Sequence, residues 1–521
     1  MTAVLPDPQS ADRPADRPAA RPAARPAARP AARRAAPGRR RRLRVSDVTV
    51  VDGPMLKKTI GGTVVGNFME WYDVGVYGYL AVVMGAVFLP TASSGVQILF
   101  SLGVFASTYV ARPLGGIICG RIGDRIGRQK VLSFTLIMMA ASTFLIGLLP
   151  TYDTIGAVAP LLLVLLKLLQ GFSTGGEYAG VTTFVVEHAP DRRRGWAASF
   201  LDFGTYVGFA AGAVVVTVLQ VTLGEQAVLD GAWRIPFLVA GPIGAFAVWF
   251  RLKIEETPAF QAQQAATEQD GGAAAAQAAA AAPTLRSLWK PLAVAMVLVA
   301  VANTASYVLT SYMPTYLTDT LGYDAVDGTL LTVPVLVLLA GMILVAGPIS
   351  DRVGRRPLMW FGTGSMLVLS VPAFALLAAG HVWSTLLGLS LMAVPVASLV
   401  GVQAATLPAM FPTAVRYRSM GLAYNVALAV FGGTTPLIVE ALTQATGSSL
   451  APAYYVMAFA VVGAVTVFFL RESAGQPLPG AMPAVDTDAE AAELVATQDE
   501  NPNLDVETLP LHREPAASGA H

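Results

Sequence analysis

Charge is scarce in this 521-residue chain, and cysteine is almost missing. Asp, Glu, Lys and Arg make up 13% of residues against 54% hydrophobic ones, with a mean hydropathy of +0.57. A water-soluble fold of that composition lacks the polar surface to cover its core, so the chain reads as a membrane protein. The lone cysteine, Cys119, excludes an internal disulfide framework and a Cys-rich metal site, and reads as a small apolar residue in a helix. The four histidines, His188, His381, His512 and His521, fall in loops or the tail, so none is placed to carry a proton through hydrocarbon. The pattern offers no metal-ligand cluster, no nucleophile with its base and no phosphate loop: Gly171 to Gly180 lacks the Lys and Ser/Thr spacing of a P-loop. An enzyme, a metal and an organic cofactor are therefore not expected. Strand alternation is missing too, which leaves helices as the way to satisfy the backbone in lipid.

Twelve apolar stretches are long enough to cross about 30 Å of hydrocarbon as helices. Their approximate limits are 60–89, 97–119, 131–150, 157–188, 197–221, 234–253, 291–317, 328–349, 358–379, 383–408, 420–444 and 453–470. The fold expected is an all-α integral membrane protein with two pseudo-symmetric six-helix halves, 56–254 and 291–471. Residues 1–55, with Arg-Pro-Ala-Ala repeats, read as a disordered basic arm; proline forbids helix and arginines repel. The arm lacks the apolar run of a signal peptide and is expected to stay attached, attracting anionic lipid or merely reinforcing topology. Nothing folded or aromatic accompanies it to suggest nucleic-acid binding. Residues 255–290 read as a cytoplasmic linker, and 472–521 as a disordered acidic cytoplasmic tail without a coiled-coil heptad.

Lys and Arg fall on one side: Arg121, Arg125, Arg128, Lys130, then Arg192 to Arg194, Arg286, Lys290, Arg352, Arg355, Arg356, Arg416 and Arg418. The other side carries Asp153, Glu225, Asp230, Asp319, Asp324 and Asp327 instead. The positive-inside rule then places both termini in the cytoplasm of a multi-pass protein of the cell membrane. One charged sentence occurs twice at half-chain spacing, Gly120-x-x-x-Asp124-Arg125-x-Gly127-Arg128 and Gly347-x-x-x-Asp351-Arg352-x-Gly354-Arg355. A second echo pairs Pro190 and Arg194 with Pro412 and Arg416. Two fused halves of like topology follow, an architecture that usually moves solutes. In each loop Asp can accept hydrogen bonds at a helix end while Arg reaches acids or carbonyls, giving either a gate or an inert topological anchor.

Charges within apolar spans are the best functional pointers, because each is costly in hydrocarbon unless paired, hydrated or protonated. Span one holds Asn67, Glu70, Asp73 and Tyr77 at spacings of three and four, on one helical face that must look inward. Glu70 lies about 15 Å deep by helical rise. Span four places Lys167 at similar depth, with Gln170 beside it; the lysine either pairs with Glu70 or Asp73 or meets a substrate carboxylate. Arg112 before Pro113 has the same two roles open to it. Glu177 is a further candidate for proton binding or an inner-gate ion pair. Trp71 and Tyr72, with Tyr307 and Tyr312 beside Asn303, either pack helices or offer ring faces to a cationic nitrogen.

With these residues in view, the chain resembles the major facilitator superfamily and, within it, the metabolite:proton symporters. Matching stretches are Gly66 to Trp71 with Asp73, Arg112 to Gly116, Lys167 with Gln170 to Ser173 and Gly175 to Tyr178, Leu201 to Gly204, Trp233 to Phe237, Glu255 to Phe260, Tyr312 to Pro314 and Thr406 to Pro412. The resemblance implies alternating-access import of a small zwitterionic osmolyte such as proline or glycine betaine with protons, by a monomer whose coupling ion is its only cofactor. Gln129 departs from the basic residue usual in the loop motif, and relatives with osmotic gating can end in a coiled coil that this chain lacks. Two alternatives stand beside this: a proton symporter of organic acids such as oxoglutarate, citrate or shikimate, and a non-transporting membrane osmosensor.

Overall fold

The computed structural model of the chain describes residues 42–126, 128–252, 284, 286–506 and 509. Among the described residues, nine helices are long and apolar enough to cross a membrane, a bent pair makes a tenth, and two shorter apolar stretches complete the twelve expected. We number the crossings α1 (Gly53–Tyr79), α2 (Ser94–Ile126), α3 (Arg128–Gly147), α4 (Val158–Glu187), α5 (Arg194–Leu223), α6 (Arg234–Leu252), α7 (Trp289–Thr320), α8 (Thr332–Val353), α9 (Arg355–Ala378), α10 (Val382–Thr406), α11 (Val415–Thr446) and α12 (Ala451–Phe469). The first crossing begins earlier than hydropathy suggests, because Pro54 suits an opening helical turn. It turns by 63° at Leu80 into a second piece, Ala81–Phe88.

Close approach within the first half depends on glycine. A Cβ on Gly171 of α4 would lie 1.7 Å from the Thr108 carbonyl oxygen of α2, and one on Gly115 of α2 would lie 1.8 Å from the Phe172 carbonyl oxygen. No other residue fits there, so the two backbones touch, as small residues allow in membranes. The helix α5 meets α1 in the same manner at Gly208, where a Cβ would fall 2.5 Å from the Phe68 carbonyl oxygen. In the second half, α7 contains two five-residue π-helical turns, Val308–Tyr312 and Tyr316–Thr320, and α11 one, Leu428–Gly432. Such turns often mark functional sites.

Two expectations about the ends need correction. Within the arm, residues 43–51 are folded: a short strand β1 (Thr49–Val50) pairs in parallel with β2 (Ala484–Val485) from the tail. The tail itself forms β2 and a helix α13 (Asp488–Ala496). Leu43, Val48, Ala491, Leu504 and Leu509 bury together, which supplies the apolar cluster that composition alone did not suggest. Residues 1–41, 253–283, 285 and 510–521, covering most of the arm and linker and the end of the tail, lie outside the described residues.

Candidate functional site

The polar face of α1 looks into protein, not lipid. Glu70 is 1% exposed, and its Oε1 accepts a 2.6 Å charged hydrogen bond from Nη2 of Arg112 on α2. The Arg112 guanidinium lies 4.8 Å from the ring centre of Tyr109 and 5.9 Å from that of Trp71, a geometry for cation–π attraction. Lys167 on α4 sits 4.1 Å over the Tyr77 ring and donates to Gln170 Oε1 at 2.9 Å, with Asp73 near enough for attraction. Gln170 in turn donates to Thr143 Oγ1 of α3 at 3.0 Å. Arg112 is thus bonded to Glu70, and Lys167 has Asp73 as its neighbouring acid. Glu177, also buried, lies close enough to Glu70 for repulsion.

Several atoms in this cluster are left over. Glu70 Oε2, Asp73 Oδ1, and Arg112 Nε and Nη1 are buried without a hydrogen-bond partner among the described residues. Each orphaned buried polar atom costs about 1–3 kcal/mol. Unused donors beside unused acceptors are what a molecule carrying both charges can satisfy.

An aromatic layer closes the cluster toward the second half. Tyr307 of α7 donates to Tyr109 Oη at 2.8 Å, and its ring lies 6.1 Å from Trp71 and 6.2 Å from Phe105. Tyr206 of α5 and Ser306 of α7 share a hydrogen bond of 2.8 Å. Tyr178 of α4 stacks on Tyr424 of α11 at 3.9 Å with planes 8° apart. The remaining sequence candidates are more dispersed. Asn67 joins α1 to α5, donating to Leu201 O at 2.6 Å and Thr205 Oγ1 at 2.5 Å while accepting from Trp71 Nε1 at 3.2 Å. Tyr72 donates to Pro236 O, so its hydroxyl serves helix packing. Asn303 returns its amide to Val299 O on its own helix. Tyr312 belongs to a separate group in the second half, donating to Glu440 Oε2 at 2.9 Å.

The face bearing the duplicated loop is shut by bonds between the halves. Asp351 of α8 accepts from the backbone N–H groups of Gly195 and Trp196 at the start of α5, both at 2.8 Å, and from Arg355 at 3.0 Å. A carboxylate there also meets the positive end of the α5 dipole. Gly354, at φ +107°, makes the reversal between α8 and α9, a backbone shape that favours glycine. A Cβ on Gly347 would fall 2.6 Å from the Gly195 carbonyl oxygen, so these glycines are where the halves touch. Arg416 of α11 reaches Glu187 of α4 at 2.5 Å. The second echo is geometric as well: Arg194 Nε donates to the carbonyl eight residues earlier, Val186, and Arg416 Nε does the same to Pro408. Arg352 is exposed. The side chains of Asp124, Arg125 and Arg128, and the placement of Gly127, lie outside the described residues; Gly120 falls within α2. On the opposite face Ile98 and Leu102 of α2 pack with Ala81 and with Leu437 of α11. Contacts between halves thus seal the cluster on both sides.

Sequence reasoning missed three acids that its own rule, charge in an apolar span, could have found. Asp202 on α5 is 3% exposed, with Oδ2 unpartnered among the described residues, near Tyr178, Tyr206 and Tyr424. Glu440 on α11 holds Tyr312 and Gln444. Glu187 closes the loop face with Arg416. Tyr109 was missed although it stands three residues before Arg112, the same kind of placement that singled out the rings beside Asp73 and Asn303.

Comparison with known proteins agrees with this architecture. Residues 60–482 match the family described as Sugar (and other) transporter. The chain is 48% identical over 480 residues to the ectoine/proline transporter ProP of Corynebacterium glutamicum, covering 91% of this chain and 95% of that one. It is 40% identical to the glycine betaine/proline/ectoine/pipecolic acid transporter OusA of Dickeya dadantii, covering 90% and 95%, and 41% identical to the proline/betaine transporter of Escherichia coli (strain K12), covering 88% and 92%. Among solved structures, the major facilitator superfamily proton:xylose symporter XylE aligns with a TM-score of 0.69 at 18% identity, covering 82% of this chain and 98% of that one, which speaks for the fold. With the twelve crossings, the two halves and these matches together, the chain belongs to the sugar (and other) transporter family and has the major facilitator fold: it is a membrane transporter, not an enzyme.

Proposed function

We propose that the protein imports small zwitterions of the proline, glycine betaine and ectoine type together with protons, by alternating access across the cell membrane. The observation that carries this is the set of unpartnered atoms in one sealed cluster: Arg112 Nε and Nη1 suit a carboxylate, while Glu70 Oε2 and Asp73 Oδ1 suit a cationic nitrogen. The names of the relatives, all carriers of such compounds, point the same way. A charged Glu70 or Asp73 is costly to bury, so a proton, or a ligand's cationic end, offsets that cost and eases reorientation of the loaded carrier. Glu70, Asp73 and Glu177 are the proposed proton-binding set, and the aromatic faces of Trp71, Tyr109 and Tyr307 border the ligand.

The side distribution of Lys and Arg supports a cytoplasmic location for the duplicated loops, so the Asp351 contacts form the inner gate. The test is uptake of labelled proline, betaine, ectoine and oxoglutarate by purified protein in proteoliposomes, with and without an inward proton gradient. Accumulation of the zwitterions only when the gradient is imposed is expected. Accumulation that ignores the gradient rejects symport, and accumulation of oxoglutarate alone rejects the substrate class.

A further inference from the structure

The tail spans the inner gate, with one end bonded to each half. Its near end belongs to the second half. Glu472 Oε1 and Oε2 accept from the backbone N–H groups of Arg355 and Arg356 at 2.9 and 3.0 Å, and the Pro479 carbonyl accepts from Thr413 N at 3.0 Å and Arg416 Nη2 at 2.9 Å. Its far end belongs to the first half. Asp191 Oδ2, just before α5, accepts from Ala484 N–H at 3.1 Å, and Arg193 faces Asp486 at 3.7 Å. There β2 also pairs with β1, whose chain runs directly into α1, and Leu43 exchanges backbone bonds with the Gln498 side chain at 2.7 and 3.3 Å. One further bond crosses within the near end, where the Gln476 carbonyl accepts from Arg194 of the first half at 2.9 Å; Arg194 also pairs with Asp191, and this bond too must part on opening. Only residues 480–483 join the two attachments, folded back by a turn from Ala481 N–H to Leu478 O, with Gly480 at φ +74°.

We propose that residues 472–506 act as a strap that holds the inner gate shut and must release its far end before the carrier opens to the cytoplasm. The inference rests on the alternating-access reading above. Opening the loop face has to part Gly195 from Gly347 and Trp196 from Asp351, and those pairs lie on the two bodies that the strap joins. Four residues, 480–483, reach at most roughly 13–14 Å when fully extended. The connection therefore has little slack, and its weaker attachment yields first. That is the far end, built from a two-residue ladder, a few polar bonds and a small apolar cluster. Beneath it a cavity of ≈ 430 Å³, lined by polar side chains such as Asp191, Asp351 and Glu472 and by apolar ones such as Val353, Leu494 and Leu504, lies between strap and gate. The strap is thus attached at discrete points and not by continuous packing, which suits reversible release. An element of this kind biases the equilibrium between closed and open forms without touching the transported molecule.

Arg193→Cys with Asp486→Cys, in a chain carrying Cys119→Ala, places two reachable thiols across the far attachment, the native side chains being 55% and 31% exposed. Joining them with a cleavable bismaleimide in proteoliposomes is expected to lower proline uptake at least tenfold, and cleaving the linker to restore it. Uptake that is unchanged in fully cross-linked protein overturns the strap. If the uncross-linked protein elutes as a folded species yet carries no proline, the transport reading fails, and the strap is then judged by gate exposure alone. For that, Ala491→Asp loosens the far end while Ser199→Cys, beneath Gly347, reports the gate. Cytoplasmic-side labelling of that thiol is expected to quicken about tenfold relative to Ser199→Cys alone, and an unchanged rate overturns the proposal.

Discussion

Breaking the Arg112–Glu70 pair on one side only should be far more damaging than removing both charges. The pair is 2.6 Å long, with side chains 1% and 2% exposed, so Arg112→Met strands a carboxylate where no water reaches it. Losing one member of a buried ion pair typically costs about 3–5 kcal/mol, two to three and a half orders of magnitude in the folding equilibrium. Glu70→Gln strands the guanidinium, although the Tyr109 and Trp71 faces soften that loss by roughly 1–2 kcal/mol. In the double variant neither charge is alone. Most of the loss should return, leaving a deficit of about 1–2 kcal/mol from the missing ring contacts. Equilibrium unfolding in mixed micelles, run as a double-mutant cycle, should give a coupling of about 5 kcal/mol. A coupling below about 0.5 kcal/mol would refute the reasoning, because the two groups would then be hydrated independently. The double variant should bind no labelled betaine despite its recovered stability, since the donors proposed for the carboxylate are gone.

Gly171→Ala should prevent assembly of the first half, since its methyl group meets the Thr108 carbonyl at 1.7 Å; Gly61→Ala, with open space around it, should express as the parent does, and detergent-extracted yield checks both. Asp351→Asn removes a charged acceptor from Gly195 and Trp196, worth about 1.5–3 kcal/mol, so labelling of a gate thiol from the loop face should rise by roughly one to two orders of magnitude. Burial would raise the Glu472 carboxyl, but the N–H groups of Arg355, Ala474, Arg356 and Ser473 outweigh it and hold the group below its usual range. A depressed value stabilises at pH above that of the unfolded carboxyl and is lost as pH falls through the folded value. Gate labelling should therefore be flat from about pH 8 to 5 and rise only below about pH 4, whereas Glu472→Gln should raise it at pH 7.

The twelve crossings were legible because hydropathy alone decides what can span lipid. Glu70, Asp73, Arg112 and Lys167 were legible as charges in apolar runs, but which acid each cation meets was not. Pairing depends on which helices touch, and that is fixed by single glycines such as Gly115 and Gly171, whose opposite numbers lie over fifty residues away. The tail shows a different failure. Thr487 accepts from Glu490 N–H, and Glu490 Oε2 accepts from Asp486 N–H, so a helix start of Thr-x-x-Glu type stood in the sequence. Acidic composition outweighed it, and a two-residue strand such as β1 has no periodicity to detect.

Glycine contacts weld α2 to α4 and α5 to α1, and these helices bear, or directly brace, every member of the charge cluster. A body built so tightly rocks as one piece. The distance between the group that greets an anion and the group that greets a cation is then the same whichever side of the bilayer a solute arrives from. Under the proposed proton symport, net direction comes from the ion gradient, and reversing that gradient should run the same machine backwards.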